Sequence, residues 1–335
     1  MTPYVDATAE PADEPGTEPA ARPTDEPGTA INPTIDAVFE QAGCEGALCV
    51  RPLRLDDSDT PEVALRAHAP VVPASTIKVL IALEAETAFA DGRLDPREPV
   101  RLPAAARTPG PTGASLFLDD AVVSWRDLVT LALTISDNDA TDALIRGLGP
   151  AAVNSTAVRL GLTGTALESD TRTLLDSVGH DLGRADWADL VAWSGDGARS
   201  PAELAEVDEL LPATRALTPG ASTRSTPHDM AELLRLLWSD RAGPAEACAR
   251  VRELMGHQLT RHRIASGFPR QRVQVAAKSG GLLGVVRNEI GVITFPDGHR
   301  YAATVFTRSR PGSDDTAINA AIGTATARAV TLLRD

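Results

Sequence analysis

The chain has few cysteines, few aromatic residues and too few basic residues to balance its acids, and each shortage removes a class of function. Cys44, Cys49 and Cys248 are the only cysteines among 335 residues. Three is an odd number, spread too far apart for a disulfide framework or a metal-binding pair. Cys44 and Cys49 flank a short apolar segment and read as small buried hydrophobes. The six histidines form no HExxH or HxH cluster, so no metal site is expected, and no cofactor. Aromatic residues make up only 4%, too sparse to nominate an aromatic wall for a substrate. Lys+Arg total 32 against 46 acidic residues, a formal charge of −14. Replacing counterions along a nucleic acid needs a basic surface, so nucleic acid is excluded as a partner. There is no apolar run of membrane-spanning length, so no membrane partner is expected.

What is present divides unevenly. The first 33 residues hold seven prolines, seven acids and one arginine, and repeat DEPGT at 13–17 and 25–29. Such a segment buries too little apolar surface to offset its ordering entropy, so 1–32 is expected to be a disordered acidic tail. It has no basic region followed by an apolar one, so no leader is read there and a cytoplasmic location is expected.

From residue 33 onward the pattern is globular. Asn32-Pro33-Thr34 caps a helix ending at Gly43, and GALCVRPLRL reads as a strand followed by a turn at 56–59. VALRAH suggests a second strand. A helix opening near Ser75 carries Ile77, Leu80, Ile81 and Leu83 on to Asp91-Gly92. LPAAARTPGPTGASL is a Pro/Gly-rich loop without periodicity. Ser124 and Asp127 form a capping box, and Thr226-Pro227 with Asp229 opens another helix. Three β-rich runs follow Val273, with Asp297-Gly298 as a hairpin turn between the last two, and a final helix closes the chain. The order implies an α+β fold: an antiparallel sheet with terminal helices packed on it, and an all-α lobe inserted. The α/β part is expected at about 33–73 and 272–335, and the lobe at about 74–271.

Three short motifs stand out. Ser75 and Lys78 are spaced S-x-x-K, so on a helix they share a face. Burial lowers a lysine's pKa and makes it a base for a neighbouring hydroxyl. Taken alone, the pair also fits an N-cap serine beside a lysine whose stem reaches water. Ser136-Asp137-Asn138 lies where two helices meet, and Lys278-Ser279-Gly280 lies on a strand. Each is weak alone; in this order they are specific.

Together they resemble the signature of the class A β-lactamase and penicillin-binding-protein superfamily. KSGGLLGVVRNEIGVITFP resembles that family's K-T-G strand, turn and following strand, and STPHDMAELLRLLW resembles a further family helix. The resemblance implies a β-lactamase-like domain over 33–335 and a small-molecule substrate with an anionic group. It implies Ser75 as the acylated nucleophile and Lys78 as its base, with Ser136 relaying a proton and Lys278 holding Ser136. Asn138, Ser279 and Arg287 would bind substrate, the last two through its carboxylate, and the N–H groups of Ser75 and Gly281 would form the oxyanion hole.

One part of the pattern is missing. No E-x-x-L-N stretch exists where the family keeps the glutamate that activates deacylating water. Glu168 falls slightly early, at a structural acidic position, and Thr171 or Arg172 stands near the missing residue; Glu168 or Asp176 is left as a candidate base. The interval from Ser136 to Lys278 is also too long, with an insertion at about 173–222 whose Leu174, Leu175, Trp187, Leu190 and Trp193 are expected to pack onto the lobe. The expected activity is a cytoplasmic serine hydrolase forming an acyl-enzyme on an amide, ester or β-lactam, in antibiotic biosynthesis or tailoring. A resistance β-lactamase with another base, a non-hydrolytic acylated sensor and an acyltransferase are the alternatives. Oligomeric state is not readable.

Overall fold

A computed structural model describes residues 33–53 and 61–335. The acidic tail, the Asn32 cap and the expected turn at 56–59 lie outside the described residues. Helix α1 (Pro33–Gln41) leads into strands β1 (Cys44–Pro52) and β2 (Val63–Leu65). Helix α2 (Lys78–Ala90) and a small antiparallel pair, β3 (Pro99–Leu102) and β4 (Ala121–Ser124), precede α3 (Trp125–Thr134). Helices α4 (Asn138–Leu148), α5 (Pro150–Arg159), α6 (Thr171–Asp181), α7 (Trp187–Gly195) and α8 (Pro201–Leu210) follow. Then come α9 (Pro227–Trp238), α10 (Ala245–Gly256), strands β5 (Gln274–Leu282), β6 (Val286–Thr294) and β7 (Arg300–Ser309), and α11 (Asp315–Arg334).

The five long-range strands pair antiparallel in the order β2-β1-β7-β6-β5, so the start of the chain is stitched to its end. Alternation along the strands gives the sheet two apolar faces. One face packs Leu48 and Val305 against Ile35 and Phe39 of α1 and Ile322 of α11. The other carries Ile290, Val292 and Phe306 into the core built around α2, with Leu80, Ile81 and Leu83 fully buried. Helix α2 is apolar nearly all round, as a helix enclosed by other elements must be. The expected architecture, an antiparallel sheet flanked by terminal helices and facing a helical lobe, is the one observed, except that the lobe also carries the β3–β4 pair.

Two expectations are corrected. The Pro/Gly-rich loop contributes to the β3–β4 pair, Leu102 facing Ala121, a contact between segments whose own sequences show no alternation. The helix expected to open near Ser75 begins at Lys78. Residues Ala74–Ile77 form a tighter 3₁₀ turn, preceded by Pro73, whose carbonyl accepts from the Thr76 amide and hydroxyl.

The approach to Ser75 is fixed by a residue far away in sequence. The buried Asn288 of β6 donates from Nδ2 to the carbonyls of Val72 (2.9 Å) and Pro73 (3.1 Å), and its Oδ1 accepts from the Thr307 amide at 3.1 Å. From the other side β5 comes so close that a Cβ on Gly280 would lie 2.8 Å from the Pro73 oxygen and 3.2 Å from the Ser75 nitrogen. Only glycine permits that contact. Replacing Asn288 by alanine leaves buried carbonyls without donors, and is expected to lower the unfolding free energy by about 2–3 kcal/mol in chemical denaturation; a change within about 0.5 kcal/mol would show that water or relaxation takes over those bonds.

Candidate active site

Ser75 is half-buried at the mouth of a cleft of about 650 Å³, which it shares with Lys78, Asn138, Asp170, Thr171 and Gly281. The residue before it, Ala74, has φ of +49°, in the left-handed region that a non-glycine residue adopts at a cost of order 1–3 kcal/mol. The tie from Asn288 to the preceding carbonyls helps hold it there.

Lys78, three residues on, is buried. Its Nζ donates to the Ser136 carbonyl (2.8 Å), to Asn138 Oδ1 (2.8 Å) and, at longer range, to the Asp137 carbonyl (3.3 Å) and Ser136 Oγ (3.4 Å). The S-x-x-K and S-D-N segments therefore meet on one amine. Burial drives the Lys78 pKa down to about 7, opposed by the negative charges of Asp142 and Asp137. Both protonation states are then within reach near neutral pH.

The turn that presents Ser136 and Asn138 is braced by the residue between them. Asp137 is buried and caps α4, its Oδ1 accepting from the amides of Asp139 (3.0 Å) and Ala140 (3.2 Å) and from Ser115 Oγ (3.2 Å). Its Oδ2 accepts from the Ala114 amide at 2.6 Å. Ser136 itself is left-handed, φ +63°. Gly113, also left-handed at +65°, lies so near that a Cβ would come within 2.2 Å of Asp137 Oδ2. Asn138 Nδ2 donates to the Pro109 carbonyl at 2.9 Å, tying the same loop to the turn.

Strand β5 supplies the opposite wall through Gly281 and Leu282, with Lys278 and Ser279 just before them in the chain. Lys278 is fully buried, and its Nζ donates to the Ser279 carbonyl at 2.8 Å. Burial, and then the charge of Lys78, hold its pKa well below the ordinary lysine value. Ser279 is held through its amide by the Oε1 of Gln258, whose Nε2 donates to the buried Glu289 at 3.0 Å. Glu289 also accepts from the Ile264 amide at 2.6 Å, and burial raises its pKa.

Two arginines stand behind this strand, and only one was nominated from the sequence. Arg287 forms an ion pair with Asp315 at the start of α11 and donates to the Gly284 carbonyl at 2.7 Å. Arg263 donates from Nη1 to the carbonyls of Gly280 and Asn288, both at 2.7 Å, and from Nε to Asn319 Oδ1. Its Nη2 lies 3.9 Å from where a Gly281 Cβ would stand, beside the cleft-lining stretch of β5. Nothing in QLTRHRIASG marks Arg263 out from its basic neighbours; its role comes from the fold.

The region without the E-x-x-L-N stretch is built differently from a base-bearing loop. Glu168 is absent from the cleft wall, although Leu167, Ser169, Asp170 and Thr171 line it. Its carboxylate is exposed and pairs with Arg224 at 2.5 Å. Asp170 caps α6, accepting from the Thr173 amide at 2.8 Å. Asp176 pairs with Arg172 at 3.5 Å and accepts from the Trp187 amide. Asp142, buried, accepts from the amides of Thr171 (2.8 Å) and Arg172 (2.9 Å) and from Thr108 Oγ1, fastening the start of α6 to α4. Residues 173–222 hold most of α6 and all of α7 and α8. Leu174 and Leu175 line the cleft, while Trp187, Leu190 and Trp193 pack with Val178, Ala216 and Leu283, the last on the β5–β6 turn.

The model of the Beta-lactamase enzyme family matches residues 30–333. The chain is 30% identical over 297 residues to the β-lactamase regulatory protein BlaB of Streptomyces cacaoi, covering 83% of this chain and 89% of that one. Among solved structures it superposes on a β-lactamase from Sphaerobacter thermophilus with a TM-score of 0.69 at 23% identity, covering 90% of this chain and 95% of the other. An ancestral class A β-lactamase of Gram-negative bacteria gives 0.69 at 19% identity, with 90% and 98% covered. Fold, family model and relative agree, and the chain belongs to the β-lactamase enzyme family.

Proposed function

We propose that the chain is a serine acyl-enzyme protein for carboxylate-bearing β-lactams, amides or esters, and that its acylation outpaces its deacylation. The observation that carries this reading is Lys78: an amine buried in the same cleft as Ser75, with a pKa near 7, bonded to Ser136 and Asn138. Neutral Lys78 takes the proton of Ser75 Oγ as that oxygen attacks the substrate carbonyl carbon. The amides of Ser75 and Gly281 hold the oxyanion. The carbonyl–nitrogen or carbonyl–oxygen bond then breaks, and Ser136 passes a proton to the leaving atom, drawing on protonated Lys78. Lys278, when protonated, supplies positive potential beside Lys78. Asn138 takes the substrate amide, and Ser279 with Arg263 takes its carboxylate; Arg287, shared with Asp315, adds to the field.

Slow deacylation follows from the state of the carboxylates. Glu168 is engaged with Arg224, and Asp142 is spent on amides. Activating a hydrolytic water needs a free base within hydrogen-bond reach. A protein that stays acylated suits a sensor, and the relative in Streptomyces cacaoi is a regulatory protein by name. One observation favours a second reading, a turning-over hydrolase with a cytoplasmic biosynthetic role: Asp170 lines the cleft, and its Oδ1 alone accounts for the capping bond.

Intact-mass measurement after incubation with a chromogenic cephalosporin, and separately with p-nitrophenyl esters, decides between them. The expected result is one adduct on Ser75 that survives desalting, and none in Ser75→Ala; an adduct or full turnover in Ser75→Ala rejects the reading. The acylation rate constant should rise about tenfold per pH unit below about 7, then level off as Lys78 becomes neutral. A flat profile between about pH 5 and about pH 9 would remove Lys78 as the base. Thr171→Glu places a carboxylate in the cleft wall at the first helical position of α6, and should shorten adduct lifetime by about tenfold or more; an unchanged lifetime would mean that deacylation is limited elsewhere.

A further inference from the structure

A second cavity, of about 860 Å³, lies on the lobe-facing side of the sheet and shares Val72 with the active-site cleft. Its floor follows from strand register. Glu45, Arg308 and Val286 form one cross-strand row, and Ala47, Phe306 and Asn288 form the next. Every second residue points to the same face, so these six line the cavity together. The roof is the chain from Ala69 to Val72 on one side and Leu217 to Pro219 on the other. The first of these roof segments runs directly into Pro73 and the strained Ala74, two residues and one residue before the serine proposed as nucleophile.

The chemistry of the lining is an apolar body with one cationic end. Phe306, Val286, Val71 and Leu217 supply the apolar surface. Arg308 donates to the carbonyls of Leu217 (2.8 Å) and Pro212 (2.6 Å), and no carboxylate among the described residues pairs with it. Arg66, at the rim, is already neutralised by Asp36 and also donates to the Gly46 carbonyl. Glu45, beside Arg308 in the register, is exposed and makes no ion pair among the described residues, and it repels an anion. A cavity with this mixed lining, mostly apolar with one cationic group, matches a small-molecule site.

We infer that this cavity is a second ligand site, for a small apolar molecule bearing one anionic group directed at Arg308, and that its occupancy changes the rate at which Ser75 is acylated. The coupling is mechanical: a ligand resting against Val71, Val72 and Asn288 bears on the two carbonyl bonds that hold the Ser75 turn. The binding half stands on the cavity alone, and the coupling half rests on the acyl-enzyme reading above.

The probe is 8-anilinonaphthalene-1-sulfonate, an aromatic sulfonate of the required class, titrated by fluorescence into the folded full chain. Ala69→Trp fills the roof without touching the proposed catalytic groups, and should weaken binding at least about tenfold. Glu45→Gln removes the repelling charge and should tighten binding by about threefold. Saturating probe should change the acylation rate constant by about threefold or more in the wild type and leave Ala69→Trp unaffected. Equal affinity in wild type and Ala69→Trp overturns the site, and probe bound at the site with an unchanged acylation rate overturns the coupling. If the wild type acylates with no reagent, the acyl-enzyme reading fails separately; hydrogen exchange at 71–76 then carries the coupling, with altered protection expected and unaltered protection overturning it.

Discussion

Burial of two amines, each resting on backbone carbonyls, is the constraint on which the rest of the molecule depends. Lys78 and Lys278 are the only lysines in the sequence, and both are enclosed. An ammonium taken out of water costs several kcal/mol unless acceptors surround it. The acceptors here are carbonyls: Ser136 and Asp137 for Lys78, and Ser279 for Lys278. The charge of Lys78 also makes that of Lys278 less favourable. The result is a site in which a proton can leave a lysine at a pH where an exposed lysine would keep it, and the 30 other basic residues, all arginine, do not share that property.

Supporting those amines takes a scaffold more extensive than the site. The S-D-N turn is held by Asp137 and by the closeness of Gly113. The Ser75 turn is held between Asn288 and Gly280. The Ser279 stretch of β5 is held by Gln258, itself bonded to Glu289. These are side-chain to backbone bonds made by buried groups, and each fixes a segment of backbone and not merely a rotamer. The cost is local strain at Ala74 and Ser136, two non-glycine residues in left-handed conformations at the points where the functional side chains leave the chain.

Much of this was legible in the sequence, for identifiable reasons. Helix caps at Ser124 and Thr226 and the turn at Gly298 are local codes, read over four residues. The three motifs were legible because the chemistry needs those residue types, in that order. The bracing was not. Asn288 reaches carbonyls 216 and 215 residues away, and such a bond leaves no trace in either segment. Arg263 sits among other basic residues and is distinguished only once β5 and β6 lie over it. The β3–β4 pair has no period of its own because long-range pairing, not alternation, stabilises it. Glu168 illustrates the converse: its position in the sequence leaves it a candidate, while its carboxylate is exposed on Arg224 and outside the cleft wall.

Because the chain has only two lysines, its central electrostatic claim can be tested on two resonances. Protein labelled at lysine with ¹³C and ¹⁵N, titrated by NMR in the folded state, reports each side chain's protonation directly. One amine, assigned to Lys78 by its loss in Lys78→Arg, should titrate near pH 7. Both amines remaining fully protonated up to about pH 9 would contradict the account, since no neutral base would then exist beside Ser75 at physiological pH.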